Sequence, residues 1–210
     1  VCAALDDTYG AARDHRHEFP WAFYAAMAEG GWLGVAIPEE YGGGGLGITE
    51  CAIVLNRVAA SGAAMNGSSA LHLTMFGLNP VAKFGNDRLK ETFLPRAAVG
   101  DLHIAFGVTE PDAGTDTSRI STRAIDDGNG GFIVRGRKIW TSKALESEVC
   151  LLLARTDDPD PDDPRRRFDG LSLFVVDLDP EYCDIAPIPK LGRNAVASCE
   201  VAYDDLPVEG

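Results

Sequence analysis

The sequence has no long apolar run: none of its 210 residues lies in a stretch near the ~18 apolar residues that a membrane-spanning helix needs. It is also short of positive charge. Nineteen Lys and Arg stand against 32 Asp and Glu, for a net charge of −13. Binding a nucleic-acid backbone relies on basic surface that displaces counterions, so no nucleic-acid partner is expected. An anionic membrane surface is disfavoured for the same reason. A local basic patch for a small anion is untouched by that argument. No C-x-x-C pair occurs, and the five cysteines (Cys2, Cys51, Cys150, Cys183 and Cys199) are odd in number and scattered. Neither a disulfide framework nor a zinc site is expected, and reduced thiols in a cytoplasmic setting follow. The histidines offer no metal-ligand spacing: His15 and His17 are too close for one helix face, and His72 and His103 stand alone. The chain opens Val-Cys-Ala-Ala-Leu, without Met or a basic leader, and reads as a cut edge.

What is present fits an ordinary globular protein, with 45% hydrophobic and 24% charged residues and enough length for one large domain or two small ones. The hydrophobic period divides the chain near Gly100. Before it, the spacing is helical. Phe19, Phe23 and Met27 recur every four residues, which predicts a helix over 19–33 with Pro20 in its first turn and Trp32 on its apolar face. A second helix is expected over 48–60, with Ile48, Cys51, Leu55 and Val58 on one side. A third is expected over 68–77, where Leu71, Met75 and Leu78 form a core stripe. Asn79-Pro80 marks a break before a short helical turn. Asn86 then caps a last helix that turns Leu89 and Phe93 inward and ends near Pro95. The glycines from Gly42 to Gly47 lack the Gly-Lys-Ser/Thr of a phosphate loop and read as a flexible connection.

After Gly100 the period is two. Strands are expected over 102–109, 119–125, 131–140, 149–154, 171–176, 185–188 and 200–203, and the apolar runs 149–154 and 171–176 look buried on both faces. Residues 157–169 are rich in Asp, Pro and Arg and read as an exposed, mobile loop. The fold class is therefore α+β: an all-helical domain over 1–100, then an antiparallel, barrel-like β-domain over 101–210.

Two stretches carry the chemistry. In V-T-E-P-D-A-G-T-D (108–116) a strand breaks at Glu110-Pro111 into a turn that carries Gly114. Thr109, Thr115 and Thr117 surround that turn with hydroxyls, which can converge with backbone donors on an acceptor-rich group. In K-I-W-T-S (138–142) Trp140 supplies a broad flat face, with Ser142 two residues on. A planar, heteroatom-rich ring with an anionic tail suits this set.

These stretches resemble the two flavin-binding segments of the acyl-CoA dehydrogenases. The similarity extends to G-W-L-G-V-A-I-P-E-E-Y-G-G (31–43), F-G-N-D-R-L-K (84–90), Leu94-Pro95 and V-A-Y-D-D-L-P-V (201–208). The resemblance implies FAD as cofactor, with Phe106 and Trp140 walling the ring and Val108 and Thr109 at its pyrimidine end. It places Gly114 and Thr115 at the pyrophosphate, and Ser142 near the reactive nitrogen. Thr115 stands where the family more often has Ser, and Thr141 where it usually has an apolar residue. Glu110 is structural in the family. The implied reaction is α,β-dehydrogenation of an acyl-CoA to a trans-2-enoyl-CoA, with electrons passed to an electron-transfer flavoprotein and a homo-oligomeric assembly. An acyl-CoA oxidase, a flavin monooxygenase and a non-catalytic acyl-CoA- or flavin-binding module are the rival readings. In such a family the 68–77 stripe could line an acyl pocket, and Arg165, Arg166 and Arg167 could meet CoA phosphates, although a solvated loop is the simpler reading. The family's catalytic Glu lies in a C-terminal helical bundle with no counterpart in these 210 residues, so no catalytic residue is assigned here.

Overall fold

A computed structural model describes residues 1–2, 7–160, 162, 163 and 166–209, so Arg165 lies outside the described residues. The chain divides into two compact units: one comprises residues 1–104 and 189–197, the other 105–188 and 198–210.

The first unit is helical, with α1 Asp7–Arg16, α2 Trp21–Glu29, α3 Ile48–Ala59, α4 Ala64–Phe76, α5 Asn79–Phe84 and α6 Asp87–Ala98. Phe23 and Met27 on α2, Cys51 and Val58 on α3, and Leu71 and Met75 on α4 meet in one buried core with Phe19 and Leu33. At about 25 cal/mol per Å² of apolar surface, packing of this kind supplies most of the drive to fold. Val196, from the returning segment, joins the same core.

Helix α1 was not expected. It carries no apolar stripe that periodicity could detect, and its Asp14 carboxylate accepts the N–H groups of Asn194 and Ala195. Helix α2 is shorter than expected. Pro20 caps it, and it stops at Gly30-Gly31, where Gly31 adopts φ +72°. Trp32 is thereby left outside the helix, and exposed. On α3, Cys51 and Val58 are buried as expected, but Ile48 is 70% exposed. Helix α4 begins earlier than expected, at Ala64. Helix α6 runs past Pro95 to Ala98 and buries Leu94, Ala97 and Ala98, while Leu89 and Phe93, expected to face inward, are half-buried. The glycine run is not a free loop. Gly43, Gly44, Gly45 and Leu46 donate their N–H groups to Pro38, Gly34, Ile37 and Val35, so those donors are not available to a phosphate.

The second unit is a seven-stranded sheet of β1 Ile104–Gly107, β2 Arg123–Asp126, β3 Gly131–Ser142, β4 Val149–Arg155, β5 Leu171–Asp177, β6 Cys183–Pro187 and β7 Ser198–Glu209. The strand order is β1-β4-β2-β3-β7-β6, with β5 on β4. The sheet is mixed rather than wholly antiparallel, because β2 and β4 pair in parallel through Arg123 and Arg155. Arg119, expected to open a strand, instead ends the 3-10 turn Thr117–Arg119 that Asp116 caps, and β2 begins at Arg123. Strand β4 is buried almost throughout, as its apolar run predicts; β5 is not, and its Leu173 is 45% exposed. Between them, the described residues of 157–169 are mostly exposed, and the ends are tied down: Thr156 and Asp157 donate to the Gly170 carbonyl, and Arg123 pairs with Asp158.

Candidate functional site

Both chemically suggestive stretches lie in the second unit, and hydrogen bonds join them. The Ile139 N–H donates to the Thr109 carbonyl at 2.8 Å, and Lys138 Nζ donates to the Val108 carbonyl at 3.1 Å. The same ammonium lies 2.8 Å from Glu110 Oε1, and both side chains are buried. Glu110 also accepts from Ser121 N (2.8 Å), Ser121 Oγ (2.7 Å) and Thr122 N (2.9 Å). Burial alone would raise the Glu110 pKa, but Lys138, Thr122 and Ser121 outweigh it and bring the carboxyl down to about 2. A carboxylate this strongly engaged is a poor general base near neutral pH. Glu110 acts as a clasp between the two stretches.

The turn after Glu110 closes on itself through reciprocal backbone bonds, Glu110 N to Ala113 O (3.0 Å) and Ala113 N to Glu110 O (3.2 Å). Gly114, Thr115 and Asp116 follow, all exposed. A Cβ built on Gly114 would meet nothing within 4 Å. Among the described residues, the N–H groups of Gly114, Thr115 and Asp116 have no partner in the protein. The Val108 and Thr109 carbonyls are committed to β3, which leaves their N–H groups and the Thr109 hydroxyl for a ligand.

Trp140 owes its position to a bulge. Lys138 pairs with Val201 and Thr141 with Cys199, so Ile139 and Trp140 together face one residue of β7. Strict alternation from buried Lys138 would have buried Trp140. The bulge instead places it at φ +62°, with its side chain 53% exposed. A bulky residue in the left-handed region costs about 1–3 kcal/mol, a strain that tends to gather at ligand sites. Phe106 on β1 is a second exposed aromatic, at 37%. Ser142 is half-buried and pairs with Ser198, and is reached from Trp140 only along β3. Phe106, Val108, Thr109 and Trp140 therefore lie on directly bonded backbone. Gly114 and Thr115 lie beyond the Glu110–Ala113 closure.

Sequence reading gave no role to three buried cations. Lys138 is one. Lys143 is another: it is fully buried at φ +66° directly after Ser142, and burial pulls its pKa down to about 7 against the opposing pull of Glu146. Arg155 is the third, and its guanidinium donates to the carbonyls of Ile120 (3.0 Å), Ser118 (2.8 Å), Asp169 (3.1 Å) and Asp157 (3.4 Å). The buried parity of Lys138 and Arg155 in their strands is the signal that could have found two of them. The Thr141 hydroxyl, in place of an apolar side chain, is buried without a partner.

Exposed Trp140 and Phe106, the unused N–H groups and the open Gly114 turn all belong to the second unit. A helical unit followed by a mixed sheet is a fold shared with solved acyl-CoA dehydrogenases. Family models agree: the acyl-CoA dehydrogenase N-terminal domain matches residues 5–101 and the acyl-CoA dehydrogenase middle domain matches residues 105–206. The chain belongs to the acyl-CoA dehydrogenase family. It is 36% identical over 194 residues to the acyl-CoA dehydrogenase FadE12 of Mycobacterium tuberculosis, covering 91% of this chain and 47% of that protein. A probable acyl-CoA dehydrogenase from Mycobacterium abscessus superposes with a TM-score of 0.84 at 26% identity, over 95% of this chain and 51% of that one. The prolyl acyl carrier protein oxidase AnaB superposes with a TM-score of 0.82 at 26% identity, over 94% of this chain and 51% of that one. The chain spans about half the length of the relatives it matches.

Proposed function

We propose that this chain provides the flavin-binding face and part of the acyl-binding surface of an FAD-dependent acyl-CoA dehydrogenase that forms a trans-2-enoyl-CoA. The supporting observation is the pair of bonds from Lys138 and Ile139 to Val108 and Thr109, which hold the two stretches as one surface. The residues present suit the cofactor. Phe106 and Trp140 offer apolar faces to a flat ring, the Val108 and Thr109 N–H groups offer donors to its pyrimidine edge, and Gly114 and Thr115 leave room for the pyrophosphate. Ser142 contributes a hydroxyl beside the ring. When bound, FAD supplies the hydride-accepting orbital that no amino-acid side chain has.

The chain's own contribution is orientation. The Glu110–Lys138 clasp holds the 108–110 segment beside β3, where the Ile139 N–H bonds Thr109, and the bulge holds Trp140 outward. Proton removal from the substrate α-carbon falls to a carboxylate outside these residues, because Glu110 is fully engaged. The same reading assigns a cytoplasmic homo-oligomer that passes electrons to an electron-transfer flavoprotein.

FAD titrated into the chain tests the reading: its visible spectrum should shift on binding, and Trp140→Ala should weaken that binding at least tenfold. A colourless protein that still binds acyl-CoA would instead support a binding module. Likeness to a named oxidase favours one rival, and rapid peroxide release on admitting air would assign it.

A further inference from the structure

We infer that one buried water molecule bridges Arg13 on α1 to Asn66 on α4 and completes the joint that fastens α1 to the helical unit. A small cavity lies where α1, α4 and the returning segment meet, and Arg13, Asn66 and Ala195 help to line it. Pro20, Phe23 and Ala63 give it apolar walls. Two polar atoms of this lining, Arg13 Nε and Asn66 Oδ1, are buried without a hydrogen-bond partner among the described residues. One is a donor and the other an acceptor, yet they do not bond each other. Buried polar atoms are paired in the great majority of cases, so two complementary orphans on one cavity call for a group between them.

The rest of each side chain is committed. Arg13 Nη1 pairs with Glu18, and the Arg13 guanidinium carbon lies 5.4 Å from the Tyr9 ring centroid. The Asn66 amide serves Asp14. Burial would raise that carboxyl's pKa, but the Asn194 N–H, the Asn66 side chain and the Ala195 N–H outweigh it and bring it down. A carboxylate only accepts, so Asn66 gives it the NH2 group and keeps Oδ1 for another donor. Neighbouring residues of α1 thereby address the two ends of one α4 side chain: Asp14 its NH2 and Arg13, across the water, its Oδ1. Polar contacts of this kind dock a helix that carries no apolar stripe.

The chemistry of the gap selects the occupant. An anion would satisfy Arg13 and leave Oδ1 without a donor. A metal cation would satisfy Oδ1 and meet the positive guanidinium. A molecule that both donates and accepts answers both atoms, and the cavity has room for about one water. Two partners fall within the roughly two to four that buried waters make.

Water-to-protein cross-relaxation in the isotope-labelled 210-residue chain tests the bridge. The methyl protons of Ala63 and Ala195 do not exchange with solvent, so they report a water held in the cavity. Both should show cross-peaks to the water line whose laboratory-frame and rotating-frame effects have opposite signs, the mark of a water held far longer than surface hydration. Tyr9→Phe removes a hydroxyl able to relay such a signal, and the cross-peaks should persist. Arg13→Met keeps the stem and removes the donor, Asn66→Leu removes the acceptor, and each should lose the cross-peaks. Their absence from the parent overturns the bridge. So does their loss in Tyr9→Phe, which assigns the signal to the hydroxyl, or their survival in either of the other variants, which shows a water held by different atoms. Should Arg13→Met or Asn66→Leu unfold, the parent and Tyr9→Phe spectra still decide.

Discussion

At the scale of single residues, the site depends on a buried carboxylate that receives four hydrogen bonds. Replacing Lys138 with Met leaves Glu110 with only the Ser121 and Thr122 donors in a buried setting. Breaking one side of such a pair costs about 3–5 kcal/mol, and the denaturant midpoint of Lys138→Met should fall accordingly. The acid response follows from the direction of the shift. Glu110 titrates lower in the folded chain than the 4.5 of an ordinary Glu, at about 2. Its contribution is therefore complete above 4.5 and is lost as pH falls from there toward 2. Urea midpoints measured across that range should show this acid limb in the parent and a weaker one in Lys138→Met. The motif letters made Glu110 visible in the sequence. They did not reveal its partner, because Lys138 reads as a surface residue until β3 is laid against the 108–110 segment.

At the scale of elements, the sequence was most legible where apolar residues repeat and least where one position changes the outcome. Helix α3 and strand β4 follow from periodicity. Helix α1 does not, because a polar helix held through Asp14 leaves no stripe. The bulge at Trp140 was hidden for a different reason: an extra residue in β3 is defined only against the register of β7. The change of period at Gly100, by contrast, was readable, and its cause is local. Gly100 sits at φ +83° just past α6, its N–H donates to Ala97 and that of Asp101 to Arg96, and a Cβ there would lie 2.7 Å from Ala28 Cβ. Gly100→Ala meets both the left-handed backbone and the collision with Ala28. It should destabilise the helical unit by about 1–3 kcal/mol, read as a fall in melting temperature. A Pro inside a helix is a poor stop signal by comparison: Pro95 is exposed, and α6 continues through it for three more residues.

At the scale of the whole molecule, the helical unit is not a continuous piece of chain. Residues 189–197 belong to it, with Val196 in its core, Asn194 and Ala195 on Asp14, and Arg193 Nη1 3.0 Å from Ser69 Oγ. Family boundaries drawn along the sequence divide at residues 101 and 105 and pass over this return. Residues 1–104 expressed alone should show poorly dispersed amide signals around α1 and α4. Adding a 189–197 peptide should restore them in proportion to its concentration, and full dispersion without the peptide would contradict the assignment.

The return of Val196 also sets an order of events at the ribosome. A nascent helical half cannot seal its interior until the sheet-forming stretch has been threaded and the polymerising chain has passed residue 197. At about 5–20 residues per second that is a wait of roughly 5–20 s with an apolar opening exposed, the interval in which a chaperone would have reason to visit.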